Sequence, residues 1–155
     1  MAPSKTPDKV SVATNRRARF EYEILEVFEA GLVLSGTEVK SLRDGKCTLG
    51  DGYVQVRRGE AFLHNVHIPE YTFGNRLNHE PKRVRKLLLH LNEIARIADA
   101  TDRSGQTCIP LELYFLRGRA KVEIALARGK RDIDKRDDQK AREDRREIRK
   151  YTGRG

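Results

Sequence analysis

The strongest constraint on this 155-residue chain is a pair of period-two segments around one glycine. Leu111, Leu113 and Phe115 alternate with other residues, Gly118 follows, and Val122, Ile124 and Leu126 alternate again. Successive strand side chains point to opposite faces, so each segment buries one face, and a turn at Gly118 folds the two into an antiparallel hairpin. The same period opens the body. Phe20, Tyr22 and Ile24 alternate with Glu21 and Glu23, Gly31 supplies a turn, and Leu32 to Leu34 begin a return strand. A third hairpin spans Tyr53 to Val56 and Phe62 to Ile68 around Arg58-Gly59, with Phe62, His64, Val66 and Ile68 on one face.

Between these hairpins lie helix signals. Ser35 and Glu38 form a capping box, Val39 and Leu42 give an apolar edge, and Gly45 stands where a helix ends. Lys40 and Arg43 share one side of that helix, beside Lys46. From Lys82 to Ala100 two helical registers compete, and Asn92 can serve as a fresh N-cap after an extended Leu87 to Leu89. Six strands in three hairpins, with short helices and no β-α-β alternation, predict a mainly β fold, an antiparallel oligonucleotide-binding (OB) type of barrel.

Charge divides the chain. Hydrophobic residues make up 37% and charged residues 35%, with 32 Lys and Arg against 23 Asp and Glu, a net +9. From Gly129 to Gly155 there are 11 basic and 7 acidic residues, and only Ile133, Ala141, Ile148 and Tyr151 are apolar or aromatic. Such a segment cannot offset its own ordering entropy, so it is expected to be disordered when free. It lacks Pro and pairs charges at helical spacing, as in Asp132/Arg136, Asp138/Arg142 and Glu143/Arg146, which predicts a helix in the bound state. Residues 1–13 carry Lys5 and Lys9 without an apolar run of the secretory kind and read as a flexible polar arm. The expected organisation is an arm at 1–13, a barrel at 14–128 and a charged tail at 129–155.

No nucleotide loop, zincin motif or nucleophile elbow is present. Cys47 and Cys108 are too far apart for a C-x-x-C pair and read as reduced thiols, and His64 and His67 fall on opposite faces of a strand, so neither metal nor cofactor is expected. The longest aliphatic run, Leu87-Leu88-Leu89, is far short of a membrane span, and a cytoplasmic protein is expected. The positive finding is three basic clusters at the edges of structured segments: Asn15-Arg16-Arg17-Ala18-Arg19, Lys82-Arg83-Val84-Arg85-Lys86 and Gly129-Lys130-Arg131. Together with the net charge they point to a phosphate backbone. RNA is favoured over DNA because no helix-turn-helix, zinc finger or zipper is available to enter a major groove. Two other readings are a ribosomal or RNA-chaperone protein with a basic tail, and a nuclease using Glu21, Glu23 or Glu29.

The wording of the chain carries more. Asn15-Arg16-Arg17-Ala18-Arg19-Phe20-Glu21-Tyr22, Phe28-Glu29-Ala30-Gly31-Leu32, Gly36-Thr37-Glu38-Val39-Lys40-Ser41-Leu42-Arg43, Arg85-Lys86-Leu87-Leu88-Leu89, Ala120-Lys121-Val122, Ala127-Arg128-Gly129-Lys130 and Asp134-Lys135-Arg136 closely resemble the SmpB, or SsrA-binding protein, family in order and spacing. The resemblance implies an OB-type barrel that binds the tRNA-like domain of tmRNA and a tail that enters the empty messenger channel of the small ribosomal subunit, against 16S rRNA, during rescue of stalled ribosomes. It also implies a non-enzymatic role and travel, through tmRNA, with the aminoacyl-tRNA delivery factor. The body would contact RNA through Asn15, Arg16, Arg17, Arg19, Glu29, Lys40, Lys82, Arg83, Arg85, Lys86 and Leu88. The tail would act through Gly129, Lys130, Arg131, Asp134, Lys135, Arg136, Lys140, Arg142, Arg145, Arg146 and Arg149. Ile133 occupies a position where some members carry His.

Overall fold

The computed structural model describes residues 8–73 and 78–130. Its elements are β1 (Lys9–Thr14), α1 (Ala18–Glu21), β2 (Tyr22–Leu32), α2 (Gly36–Arg43), β3 (Tyr53–Arg57), β4 (Glu60–His64), β5 (Arg85–Leu88), α3 (Leu91–Arg103), β6 (Thr107–Leu116) and β7 (Arg119–Gly129). The strands form one antiparallel sheet in the order β1-β6-β7-β2-β5-β4-β3, and edge strand β3 curls back to pack against β6. A strongly coiled antiparallel sheet of this kind is the expected OB-like architecture.

Two hairpins form as the sequence predicts. Arg58 and Gly59 have φ of 53° and 76°, and Arg117 and Gly118 have 51° and 78°. Two consecutive positive φ values give the turn whose twist matches that of the flanking strands. Helix α2 also forms as read. Ser35 Oγ accepts from the Glu38 N–H and the Glu38 carboxylate accepts from the Ser35 N–H. At the other end the N–H groups of Gly45 and Lys46 donate to the carbonyls of Leu42 (2.8 Å) and Ser41 (3.4 Å), closing a Schellman motif.

The hairpin expected around Gly31 does not form. Residues 18–21 make one helical turn, and Tyr22–Leu32 is a single strand that runs straight through Gly31. Gly31 lies between Lys121 of β7 and Leu88 of β5, and a Cβ there would sit 3.2 Å from Leu88 Cβ. The glycine admits a close neighbouring strand; it does not turn the chain. The arm also ends earlier than expected: Lys9–Thr14 is strand β1, paired with β6. In β4 the buried residues are Ala61 and Leu63, not Phe62 and His64, while Val66 and Ile68 are buried as read. Asn65, at φ 58°, breaks the alternation and shifts the phase between the two halves. Leu87 belongs to strand β5, and α3 starts after His90, whose N–H donates to Glu93 (3.0 Å), two residues before Asn92.

The interior holds Phe28, Ala30, Leu63, Leu87, Leu113 and Ile124, with Ile94 and Ile97 of α3 and Leu42 of α2 closing it. A smaller apolar layer lies on the outer face, where Ala18 of α1 covers Ile109, Leu111, Ala125 and Ala127. Bulges after Ile24 in β2 and after Pro110 in β6 shift the alternation, so this stretch of sheet is buried on both sides.

Candidate nucleic-acid interface

The first basic cluster is built on the α1 plug. Asn15 is fixed twice: its N–H donates to the Leu111 carbonyl (2.8 Å) and its side-chain amide to the Pro110 carbonyl (3.1 Å). Ala18 is buried, so Arg16, Arg17 and Arg19 around it are held at the surface. The third cluster joins the first. The Lys130 N–H donates to the Glu21 carbonyl (2.9 Å) and Lys130 Nζ to the Arg19 carbonyl (3.0 Å). Residues more than a hundred positions apart thus form one basic surface where the chain leaves the sheet.

The second cluster is split by the pleat of β5. Lys86 and Leu88 point outward, whereas Arg85 points inward and is fully buried. Arg85 Nε meets Glu38 Oε2 at 2.5 Å, and its other nitrogens donate to the carbonyls of Val66 (2.7 Å) and Pro81 (2.9 Å). Arg85, expected on the RNA face, is therefore an internal tie between β5 and α2. Arg83 is spent on the same carboxylate, donating to Glu38 Oε1 at 2.6 Å and to the Val33 carbonyl at 3.4 Å. Burial raises the Glu38 carboxyl, but the hydrogen bonds from Arg83, the Ser35 N–H and Arg85 outweigh it and hold it down at about 2. Lys82 is exposed, and exposed Lys40 on α2 lies 5.7 Å from the centre of the Tyr71 ring.

The outer faces of β2, β5 and β7 and the start of α3 enclose a groove of about 580 Å³, lined among others by Glu29, Lys86, Leu88, His90, Leu91 and Lys121. Glu29, Lys86 and Leu88, from two stretches of sequence more than fifty residues apart, meet here. Leu88 and Leu91 remain 56% and 81% exposed, an apolar floor beside charge. Lys86 Nζ stands 3.1 Å from Glu60, and Glu29 accepts a hydrogen bond from the Tyr114 hydroxyl. Lys121, His90, Leu91 and Tyr114 were not among the expected RNA contacts. Lys121 reaches the groove through its register opposite Gly31, a relation that only strand pairing reveals, and Leu91 enters it as the first residue of α3. Asn15 lines a different cleft, with Glu21, Asp51, Tyr53 and Thr107.

The carboxylates of the nuclease reading do not converge. Glu23 and Glu29 are six residues apart on β2, about 20 Å at strand rise, and Glu23 lies 3.7 Å from Arg128. Among the described residues no group of three His, Cys, Asp or Glu is placed to hold a metal ion, and no helix is long and apolar enough to cross a membrane. The tail residues Arg131, Asp134, Lys135, Arg136, Lys140, Arg142, Arg145, Arg146 and Arg149 lie outside the described residues.

Comparison with known proteins accords with this arrangement. The SmpB protein family matches residues 12–154. The SsrA-binding protein of Thermobifida fusca is 58% identical over 152 residues, covering 96% of this chain and 95% of the relative. That of Streptomyces coelicolor is 54% identical over 145 residues, covering 94% and 91%. A chain from a solved structure described as "tmRNA-SmpB: a journey to the center of the bacterial ribosome" shares 48% identity and superposes with a TM-score of 0.67, covering 79% of this chain and 87% of that one. A family match over residues 12–154 shows that the chain belongs to the SmpB family.

Proposed function

We propose that this protein binds the tRNA-like domain of tmRNA and, as that complex, rescues stalled ribosomes by trans-translation. The observation that carries the reading is the meeting of Glu29, Lys86 and Leu88 in one groove of an SmpB-family chain. An apolar floor packs against ribose and base faces, Lys86 and Lys121 attract phosphate, and Glu29 accepts hydrogen bonds from base or 2′-hydroxyl donors. Asn15, Arg16, Arg17 and Arg19 extend the contact at the far end of β2, and Lys40 and Lys82 add charge beside α2. Arg85 acts from within by holding β5 and α2 together, and Arg83 holds the same Glu38 carboxylate from the surface.

The body stands in for the missing anticodon arm, and segment 129–155 enters the empty messenger channel of the small subunit, where 16S rRNA neutralises its charge and it folds as a helix. The pinned Lys130 supports this division: the tail starts from a defined point next to the arginine cluster. The protein acts as a cytoplasmic adaptor and not as a catalyst. The aminoacyl-tRNA delivery factor reaches it through tmRNA.

A binding titration of the full chain against the tRNA-like domain, an ordinary tRNA and a ribosomal RNA fragment, at one near-physiological salt concentration, tests this. Strong preference for the tRNA-like domain is expected. Equal weak binding to all three overturns the assignment and leaves only a basic RNA binder.

A further inference from the structure

Glu29 ends a row of three carboxylates across the sheet. It lies opposite Glu123 of β7, which lies opposite Glu112 of β6. Like charges directly across strands repel, and in a chain of net +9 this row is no by-product of an acidic composition. Glu112 is answered by Lys9 at 3.0 Å. Glu29 has another partner, the hydroxyl of Tyr114, which donates to its Oε2.

The placement of that hydroxyl is specific. Tyr114 on β6 is in register with Lys121 of β7, and Lys121 with Gly31 of β2, so the phenol spans the width of β7 to meet a side chain two strands away. Tyr114 is 3% exposed, and its ring lies under Lys9 Nζ, 4.5 Å from the ring centre. Burial, the bond to Glu29 and the nearby charges of Glu29, Glu123 and Glu112 push its ionisation upward, so it stays a donor at neutral pH. A long carboxylate side chain on an open strand samples several rotamers, and ordering it opposes binding. Here one oxygen is already held in the free protein, while the residue remains exposed at the groove.

We infer that Tyr114 is a positioning residue for RNA recognition: its hydroxyl holds one oxygen of Glu29 so that the carboxylate is presented, already ordered, to an amino, imino or 2′-hydroxyl donor of RNA in the groove. The inference rests on the reading that Glu29 contacts the tRNA-like domain. Tyr114 itself touches no RNA.

The test is a double-mutant cycle on the full chain, with Tyr114→Phe, Glu29→Gln and the pair, each titrated with the tRNA-like domain at several salt concentrations. Tyr114→Phe is expected to weaken binding about fivefold, the weight of one hydrogen bond. The slope of affinity against salt should stay unchanged, since no phosphate contact is lost. The pair should be no weaker than Glu29→Gln alone. Thermal unfolding of each variant separates lost positioning from lost fold. Wild-type affinity in Tyr114→Phe, with Glu29→Gln weakened, overturns the inference and leaves the Glu29 contact standing. Effects that add in the pair also overturn it, because Tyr114 would then act independently of Glu29. Wild-type affinity in Glu29→Gln overturns the Glu29 contact and the positioning role together.

Discussion

Arg85 Nε and Glu38 Oε2 meet at 2.5 Å with both side chains fully buried, joining a strand to a helix 47 positions earlier in the chain. A buried pair contributes little beyond a good apolar contact, but removing one partner strands the other charge without water. Glu38→Gln is therefore expected to destabilise the fold by about 3 kcal/mol or more. Chemical denaturation of the variant against the parent measures it.

The same pair sets an acid response. The folded Glu38 carboxyl is held at about 2 against an ordinary value of 4.5, so its contribution is complete above 4.5 and is lost as pH falls toward 2. About 3 kcal/mol of stability should disappear across that window in the parent chain. It should be missing from Glu38→Gln, which denaturation midpoints at stepped pH will show.

Neighbours on β5 should behave oppositely. Lys86→Ala is expected to leave the unfolding midpoint within about 0.5 kcal/mol of the parent. It should weaken tmRNA binding and reduce the salt slope by about one. Arg85→Ala should lower stability by about 3–5 kcal/mol and leave little folded protein to titrate. Salt-dependent titration of the first and thermal unfolding of both will distinguish contact from scaffold.

Much of this division was hidden in the sequence for a physical reason. Alternation and capping are local, so the β6–β7 hairpin and α2 were legible from Leu111, Gly118, Ser35, Glu38 and Gly45. The run Lys82 to Lys86 shows five positions with four positive charges, but not that a buried carboxylate waits for two of them. Gly31 was misread because a glycine that turns a chain and a glycine that admits a neighbour look alike until pairing is known. β1 was missed because Val10 and Val12 gain their order from β6, about a hundred residues away. The groove residues Glu29, Lys86 and Leu88 were legible through family resemblance. Tyr114 was not, and Lys121, though inside a family-like segment, was not marked as a contact, since the place of both depends on register.

Gly31→Val should press on Leu88, whose Cβ and Cδ1 would lie 3.2 Å and 3.4 Å from a Cβ added at position 31. A loss of about 1–3 kcal/mol from overpacking is expected, with weaker tmRNA binding as Leu88 leaves the groove floor. Calorimetry and titration of the variant check the two effects.

A chain ending at Lys130 retains every strand of the described residues and the bonds from Lys130 to Glu21 and Arg19. It should bind the tRNA-like domain within about twofold of the full chain, as no groove residue is lost, yet fail to support tagging on stalled ribosomes. Parallel binding and in vitro tagging assays check both halves.

The long ladder between β2 and β7 pairs Tyr22 with Gly129 and Gly31 with Lys121. β5 meets β2 only at Gly31 and Leu32, so nearly the whole body must be synthesised before the rest of β2 has a partner, and loop closure of that length makes folding slow relative to a helical protein of equal size. Copies broken off before residue 119 lack β7 altogether. Incomplete products of this protein's own message should be unfolded and readily degraded, so the cell accumulates the adaptor only in its finished form.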